Sequence, residues 1–248
     1  MDNSKISVVM QSYLKNYPGA RTNPEDKFIR AVNSFKSQLY KNSELIIVAD
    51  GCNITVDLYN SHFKDDENIQ LIYVDKKNST KMYETVGDKT CYRGFPRRIG
   101  VSAATGGFIT YMDSDDYILP EHLTIINKLR LTYPNSNWFI NRTWYDNIVG
   151  EPEQFKAIFV EDHENPNKPI KIEKLESDWI AVKMKQDLIT LAPSVLSHTS
   201  DCKTKWEDTM GISEDVVFNK KLREEFSEGY TYEYPTYVRC HMRNAWDF

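Results

Sequence analysis

The first half of the chain alternates short apolar runs with amphipathic stretches. Ile6-Ser7-Val8-Val9-Met10, Leu45-Ile46-Ile47-Val48-Ala49, Asn68-Ile69-Gln70-Leu71-Ile72-Tyr73-Val74 and Phe108-Ile109-Thr110-Tyr111-Met112 have the length and apolar content of buried strands. After the first run, Asn23-Pro24-Glu25-Asp26 supplies an N-cap, a proline for the first helical position and acids for the first turn. Phe28, Val32, Phe35 and Leu39 follow at helical spacing as one apolar stripe. A second helix is predicted around residues 96–104, stopped by Gly106-Gly107, and a third opens at Pro120 with Leu123, Ile126 and Leu129 on one face. Strand–helix–strand alternation of this kind predicts an α/β domain, with a largely parallel sheet covered on both sides.

In such sheets ligands bind beyond the carboxyl ends of the strands. Gln11-Ser12-Tyr13, Asp50-Gly51 and Asp113-Ser114-Asp115 each follow an apolar run directly, so all of them should lie along one rim. The second half is less regular. Residues 151–178 carry Pro152, Pro166 and Pro169 among charges and amides and read as a long loop. Residues 179–184 suit a strand, 213–225 a helix with Glu214 and Asp215 in its first turn, and 230–239 a late strand. No repeat, low-complexity tract or clean linker divides the chain, which reads as a single domain over 1–248.

Composition narrows the classes. The 248 residues are 40% hydrophobic, enough for a substantial core. Lys and Arg number 31 against 36 Asp and Glu, and the net charge of −5 argues against a surface built for nucleic acid or a polybasic membrane patch. No apolar run approaches the roughly 20 residues of a membrane span, and the run at 6–10 is too short for a signal-peptide core. Cys52, Cys91, Cys202 and Cys240 are far apart, without a CxxC pair, so neither a zinc ribbon nor a disulfide framework is suggested. A cytoplasmic protein is expected.

Candidate chemistry concentrates at three places. Asp113-Ser114-Asp115-Asp116 leaves a strand into a turn, where two carboxylates can converge on Mg²⁺ or Mn²⁺; the plain alternative is an acidic turn ahead of a helix. Arg93, Arg97 and Arg98 form a basic cluster suited to phosphate or carboxylate, or else a solvated helix face. Glu214 and Asp215 are either partners of a helix dipole or a general base with its support.

Taken in order, these pieces resemble the inverting glycosyltransferases of family 2, which have the GT-A fold. The matching blocks are ISVVMQSY at 6–13, LIIVADG at 45–51, YRGFPRRIGVSAATGGFITYMDSDD at 92–116, the Glu-Asp helix at 213–222 and VRCHMRN at 238–244. The likeness covers 6–135 well and 205–245 more loosely. The chain departs from the pattern in having Ala49-Asp50-Gly51-Cys52 where Asp-Asp-Gly-Ser is frequent, Arg98 where Asn is usual, and a longer stretch over 75–91.

The resemblance implies a nucleotide-sugar-binding half over 1–116 and an acceptor-binding half over 117–248. It implies that Asp50 accepts a hydrogen bond from the nucleotide base with Ser12 and Tyr13 beside it, and that Arg97 sits near the base, donor sugar or diphosphate. Asp113 and Asp115 would be the DxD acids around Ser114, Asp115 ligating a Mn²⁺ or Mg²⁺ ion and Asp113 lying nearer the ribose. His241 would complete the metal or diphosphate site, Asp215 would deprotonate the acceptor hydroxyl, and Glu214 would support it. Trp206, just before the Glu-Asp pair, is expected to stack on an acceptor sugar.

The implied reaction is metal-dependent, inverting transfer from a nucleotide-diphosphate sugar, with UDP favoured on family grounds. The acceptor would be a saccharide or lipid-linked hydroxyl, as in polysaccharide biosynthesis, with no nucleic-acid partner and with peripheral membrane contact left open. A sugar-phosphate nucleotidyltransferase would carry a Gly-rich, Arg-containing loop after the first strand, where Gln11-Ser12-Tyr13-Leu14-Lys15 stands instead. A catalytically decayed glycan-binding module on the same scaffold is the other alternative, and the retained Asp113, Asp115, Asp215 and His241 count against it.

Overall fold

The computed structural model describes residues 2–15, 23–75, 90–91, 94–141, 143–145, 156–158, 173–174, 180–183, 196–210, 214–226, 229–232 and 236–239. The elements run β1 (Asp2–Ser12), α1 (Pro24–Lys36), β2 (Ser43–Asp50), α2 (Asn53–His62), β3 (Ile69–Val74), β4 (Thr90–Cys91), α3 (Gly94–Ala103), β5 (Gly106–Asp113), β6 (Tyr117–Ile118) and α4 (His122–Thr132). Then come β7 (Trp138–Ile140), β8 (Thr143–Tyr145), β9 (Lys156–Ile158), β10 (Glu173–Lys174), β11 (Ile180–Lys183), β12 (Leu196–Thr199), β13 (Thr209–Met210), α5 (Glu214–Glu225), β14 (Gly229–Tyr232) and β15 (Tyr237–Arg239).

Among the described residues the main sheet has nine strands in the order β10-β11-β14-β7-β12-β5-β1-β2-β3. The run β5-β1-β2-β3 is parallel throughout, as the strand–helix alternation predicts. Beyond β5 the sheet turns mixed, because β12 inserts antiparallel between β5 and β7. Side chains alternate between two apolar layers, as strand geometry demands. Ile6, Val8, Met10, Leu45, Ile47, Phe108 and Met112 pack with Phe28 and Val32 of α1 and Leu123 and Ile126 of α4. Val9, Ile46, Val48, Ile109 and Tyr111 face the other way, against Trp206, Phe218 and Leu222. Gly100 lets α3 lie close on this second face: a Cβ there would come 2.4 Å from Val9 Cγ1.

Three local expectations change. Asn23 does precede α1, but in the left-handed region (φ 50°) and without a side-chain cap bond. The helix ends at Lys36, so Leu39 falls outside the stripe and is 67% exposed, with its N–H donated to Pro120 O at 2.8 Å. The alternating segment 230–239 is two strands rather than one, β14 in the main sheet and β15 between β6 and β8. In the expected long loop at 151–178, β9 and β10 are short strands, and the remaining positions lie outside the described residues. No helix among the described residues is long and apolar enough to cross a membrane.

Candidate active site at the strand ends

The parallel registers bring the ends of β1, β2 and β5 level, with Ser12 opposite Ala49, Gln11 opposite Asp113 and Asp50 opposite Val74. Gly51 leaves β2 at φ 61°, a conformation natural to glycine, and its N–H reaches Val74 O at 2.9 Å. Asp50 is buried at this corner and accepts from Gln11 Nε2 at 3.4 Å. Lys15 Nζ reaches Gly51 O at 2.8 Å. Tyr13 is half-buried against the α1 side of the core. Ser12 is one residue out of phase with Gln11, so its hydroxyl sits against α2, 2.8 Å from Thr55 Oγ1, and not beside the Asp50 carboxylate.

Arg97 is the centre of the site. It projects from the first turn of α3 into a buried position, with Nη2 3.6 Å from Asp113 Oδ1. Its Nη1 donates to Glu214 Oε1 in the first turn of α5. One guanidinium thus joins the end of β5 to a carboxylate distant in sequence, and planar fork geometry suits it to hold both. Glu214 is itself buried, whereas Asp215 beside it is half-buried, its Oδ1 accepting the Val216 N–H at 2.8 Å.

The acidic turn divides its carboxylates between two tasks. Asp113, Ser114 and Asp115 are half-buried, and Asp116 is buried. Asp116 Oδ2 accepts from Tyr237 OH at 2.9 Å, and that hydroxyl accepts the Asp113 N–H at 3.0 Å. Burial, then the charges of Asp116 and Asp113, keep the Tyr237 hydroxyl protonated by raising its pKa well above the ordinary value. The Asp115 carbonyl accepts from Arg30 Nη2 at 2.7 Å, and that guanidinium lies 4.9 Å from the Tyr117 ring centroid. His241 lies outside the described residues.

No family model matches the chain. A protein of Haemophilus influenzae named an uncharacterized glycosyltransferase is 29% identical over 138 residues, which is 52% of this chain and 46% of that protein. One of Methanocaldococcus jannaschii with the same description is 24% identical over 221 residues, 88% of this chain and 64% of that protein. The chain spans less than two thirds of the length of these curated relatives. Among solved structures, S. aureus TarS 1–349 in complex with UDP-GlcNAc superposes with a TM-score of 0.69 at 16% identity, over 98% of this chain and 60% of that one. The UDP complex of the same protein gives 0.68 at 17% identity, over 95% and 60%. The chain has the GT-A glycosyltransferase fold. The resemblance read from the sequence is borne out by these relatives, which carry the glycosyltransferase name, and by the shared fold.

Within the GT-A scaffold one expected residue moves to a different role. Trp206 is 1% exposed, so it is not a platform for an acceptor sugar. Phe218 stacks on its ring at 3.9 Å and 3°, and the Arg97 guanidinium carbon is 5.2 Å from its centroid. Its Nε1 donates to Tyr111 OH at 2.8 Å, and Tyr111 OH meets His198 Nε2 at 2.6 Å. His198 Nδ1 faces the Thr199 carbonyl at 2.8 Å, an acceptor only, so Nδ1 carries the proton and Tyr111 donates to Nε2. Trp206 therefore forms part of the floor under Arg97.

The segment that carries Trp206 is the part of the site least legible in the sequence. Glu225, in the last turn of α5, accepts the N–H groups of Lys203 and Thr204 at 2.7 Å each and the Thr204 hydroxyl at 2.7 Å. Burial opposes the ionised Glu225 carboxyl, but these donors outweigh it and hold the pKa below the usual value. Asp208 Oδ1 accepts the Phe95 N–H at 3.0 Å at the start of α3. Burial, helped by the Glu214 charge, raises its pKa against the Phe95 N–H and Arg98, which lower it. Gly94 lies so close to the Glu207 backbone that a Cβ would sit 2.1 Å from its carbonyl oxygen. Polar residues without periodicity give no sign of this docking; Cys202 and Trp206 are the buried-type residues over 200–208.

Proposed function

We infer that this chain is a metal-dependent inverting glycosyltransferase of the family 2 kind. It transfers a hexosyl or N-acetylhexosaminyl group from a UDP-sugar to a hydroxyl of a saccharide or lipid-linked acceptor, in polysaccharide biosynthesis. The observation that carries this reading is Arg97, which ties Asp113 of the acidic turn to the Glu214-Asp215 turn of α5. A donor-handling acid and a candidate base are thereby held on one rim, at the strand ends where α/β sheets bind ligands. The UDP-GlcNAc and UDP named for the TarS complexes support the choice of donor.

The residues fit a hard divalent cation. Asp113 and Asp115 offer oxygen donors on a half-buried turn, and Mg²⁺ or Mn²⁺ needs only one or two carboxylates when substrate phosphates complete its shell. Such an ion would neutralise charge that develops on the departing diphosphate. Asp50 would accept from the base at the far end of the rim, held in place by Gln11. Glu214 is committed to Arg97, which leaves Asp215 as the carboxylate able to take a proton. The acceptor oxygen attacks the anomeric carbon, its proton passes to Asp215, and the bond to the β-phosphate oxygen breaks with its electron pair leaving on UDP. One displacement inverts the centre. A reducing cytoplasmic setting accords with Cys52 and Cys202, which are buried and free.

The test is release of nucleoside diphosphate from a panel of nucleotide sugars, with Mn²⁺ and with excess chelator. Release of UDP that requires the ion and an acceptor is the expected result. Release from no nucleotide sugar under any condition would overturn the reading.

A further inference from the structure

The carboxylates at the two ends of the rim are separated by one residue, Gln11, whose amide oxygen has no part in holding Asp50. Gln11, the penultimate residue of β1, stands between Asp50 on β2 and Asp113 on β5, and each lies two residues after a buried residue of the same sheet face: Val9, Val48 and Tyr111. With strands spaced about 4.8 Å and Asp50 two residues further along the register than Asp113, the two stand about 12 Å apart across β1. Gln11 Nε2 lies 3.4 Å from Asp50 Oδ2. An ionised carboxylate only accepts, so the amide nitrogen must be the atom turned to it and the amide oxygen must point elsewhere. That oxygen, Oε1, is buried and has no hydrogen-bond donor among the described residues. An acceptor left in this state costs stability. The residue as a whole is only half-buried, and the terminal torsion of glutamine is soft.

We propose that Gln11 is a specificity-determining residue of the donor site, whose amide holds Asp50 with its nitrogen and accepts a ribose hydroxyl of the nucleoside diphosphate with its oxygen. The proposal rests on the glycosyltransferase reading, in which the base meets Asp50, Asp113 lies nearer the ribose and the diphosphate lies toward the ion at Asp115. The ribose, being the middle of that ligand, then falls over β1. A hydroxyl supplies the donor that Oε1 lacks. A nucleotide without that hydroxyl leaves the acceptor unsatisfied, and sites of this type reject analogues missing one hydrogen-bonding group more strongly than sites of apolar contact do.

Calorimetric titration of UDP, 2′-deoxy-UDP and 3′-deoxy-UDP in Mg²⁺ buffer tests it, on the parent chain and on Gln11→Met, which keeps an unbranched side chain of similar size. The parent should bind one of the deoxy nucleotides about tenfold more weakly than UDP. Gln11→Met should bind UDP about tenfold more weakly than the parent and distinguish the three ligands no longer. Equal binding of all three by the parent overturns the proposal without any variant, and so does a Gln11→Met chain that keeps the parent's discrimination. Thermal melting of the variant separates loss of the amide from loss of the fold. A parent chain that binds no nucleoside diphosphate at all overturns the glycosyltransferase reading as well, whereas binding without ribose discrimination overturns this proposal alone.

Discussion

Arg97 and Glu214 form a buried ion pair between the first turns of α3 and α5, and the same guanidinium lies 3.6 Å from Asp113. Two motifs far apart in sequence are thus locked at a fixed separation by one side chain. Taking charges out of water is costly, and the arrangement holds only while each has its partner. Removing one partner should cost about 3–5 kcal/mol, because the other charge stays buried without compensation. We therefore expect Arg97→Met and Glu214→Leu each to lower the urea midpoint sharply, and the double variant to lose far less than the sum. A double-mutant cycle in urea unfolding checks this, and additive losses would show that the pair is not coupled.

Asp215→Asn should leave nucleotide binding and the Arg97–Glu214 pair intact, since Asp215 is half-buried and its Oδ1 accepts the adjacent Val216 N–H in the turn. A general base contributes about 10²–10⁴ in rate, and a loss in that range is expected in transfer. Rate and donor affinity must be measured together. Near-parent transfer with normal affinity would move the base elsewhere.

Asp115→Asn should abolish the Mn²⁺- or Mg²⁺-dependent part of donor turnover, with little change in melting temperature because the side chain is half-buried on a turn. Asp116→Asn makes the contrast. Its carboxylate is buried against Tyr237 OH, so its loss should register chiefly in stability, by about 1–3 kcal/mol. Turnover and thermal melting of the two variants, compared with and without chelator, separate a metal-facing acid from a structural one.

The fold was legible where hydrophobic period alone decided the element. Val9 and Met10, Val48 and Ile47, and Tyr111 and Met112 could be assigned to opposite faces from alternation, and the helix at α3 from its spacing and following glycines. The rim followed, because parallel strands end together. The tertiary partners of polar groups were not legible. Nothing local distinguishes Asp116 from Asp115, yet one turns inward to a tyrosine on β15 and the other does not. Glu214 carries the same first-turn signature whether it faces water or Arg97. Trp206 shows the same limit: its place in sequence suggested the acceptor side, while its burial depends on Phe218, Tyr111 and the Glu225 clasp.

Trp206 should accordingly behave as a core residue. Trp206→Ala is expected to destabilise by about 3–5 kcal/mol through cavity formation and the loss of the Tyr111 bond. Trp206→Phe, which keeps the stack on Phe218, should cost less and leave the acceptor KM unchanged. A selective rise in acceptor KM for the Phe variant, with stability retained, would return Trp206 to the acceptor site.

Two buried histidines set the response to acid. Burial holds His122 down at about 3 and His198 down at about 4, against an ordinary 6.5. His122 Nδ1 meets Thr236 Oγ1 at 2.8 Å and its Nε2 has no partner among the described residues, so a second proton there finds no acceptor. His198 is fixed between Thr199 O and Tyr111 OH as the neutral tautomer. In the unfolded chain both rings titrate normally, so between about pH 6.5 and 4 the unfolded state binds protons that the folded state refuses. Stability is fully present above that window and falls as pH drops through it, by about 1.4 kcal/mol per pH unit for each histidine. Glu44 answers at lower pH: burial opposes its charge, but Lys5, Ser7 and Thr105 outweigh this and hold its pKa below 4.5. Its contribution is present above the ordinary carboxylate value and lost as pH falls through the lowered one, so it cannot produce a slope near pH 6. Urea unfolding at several pH values between 7 and 5 should show stability falling with acid. His198→Gln should remove about one histidine's share of that slope, whatever it costs in stability at pH 7. A parent chain equally stable at pH 7 and pH 5 would mean that these rings accept protons in the folded state.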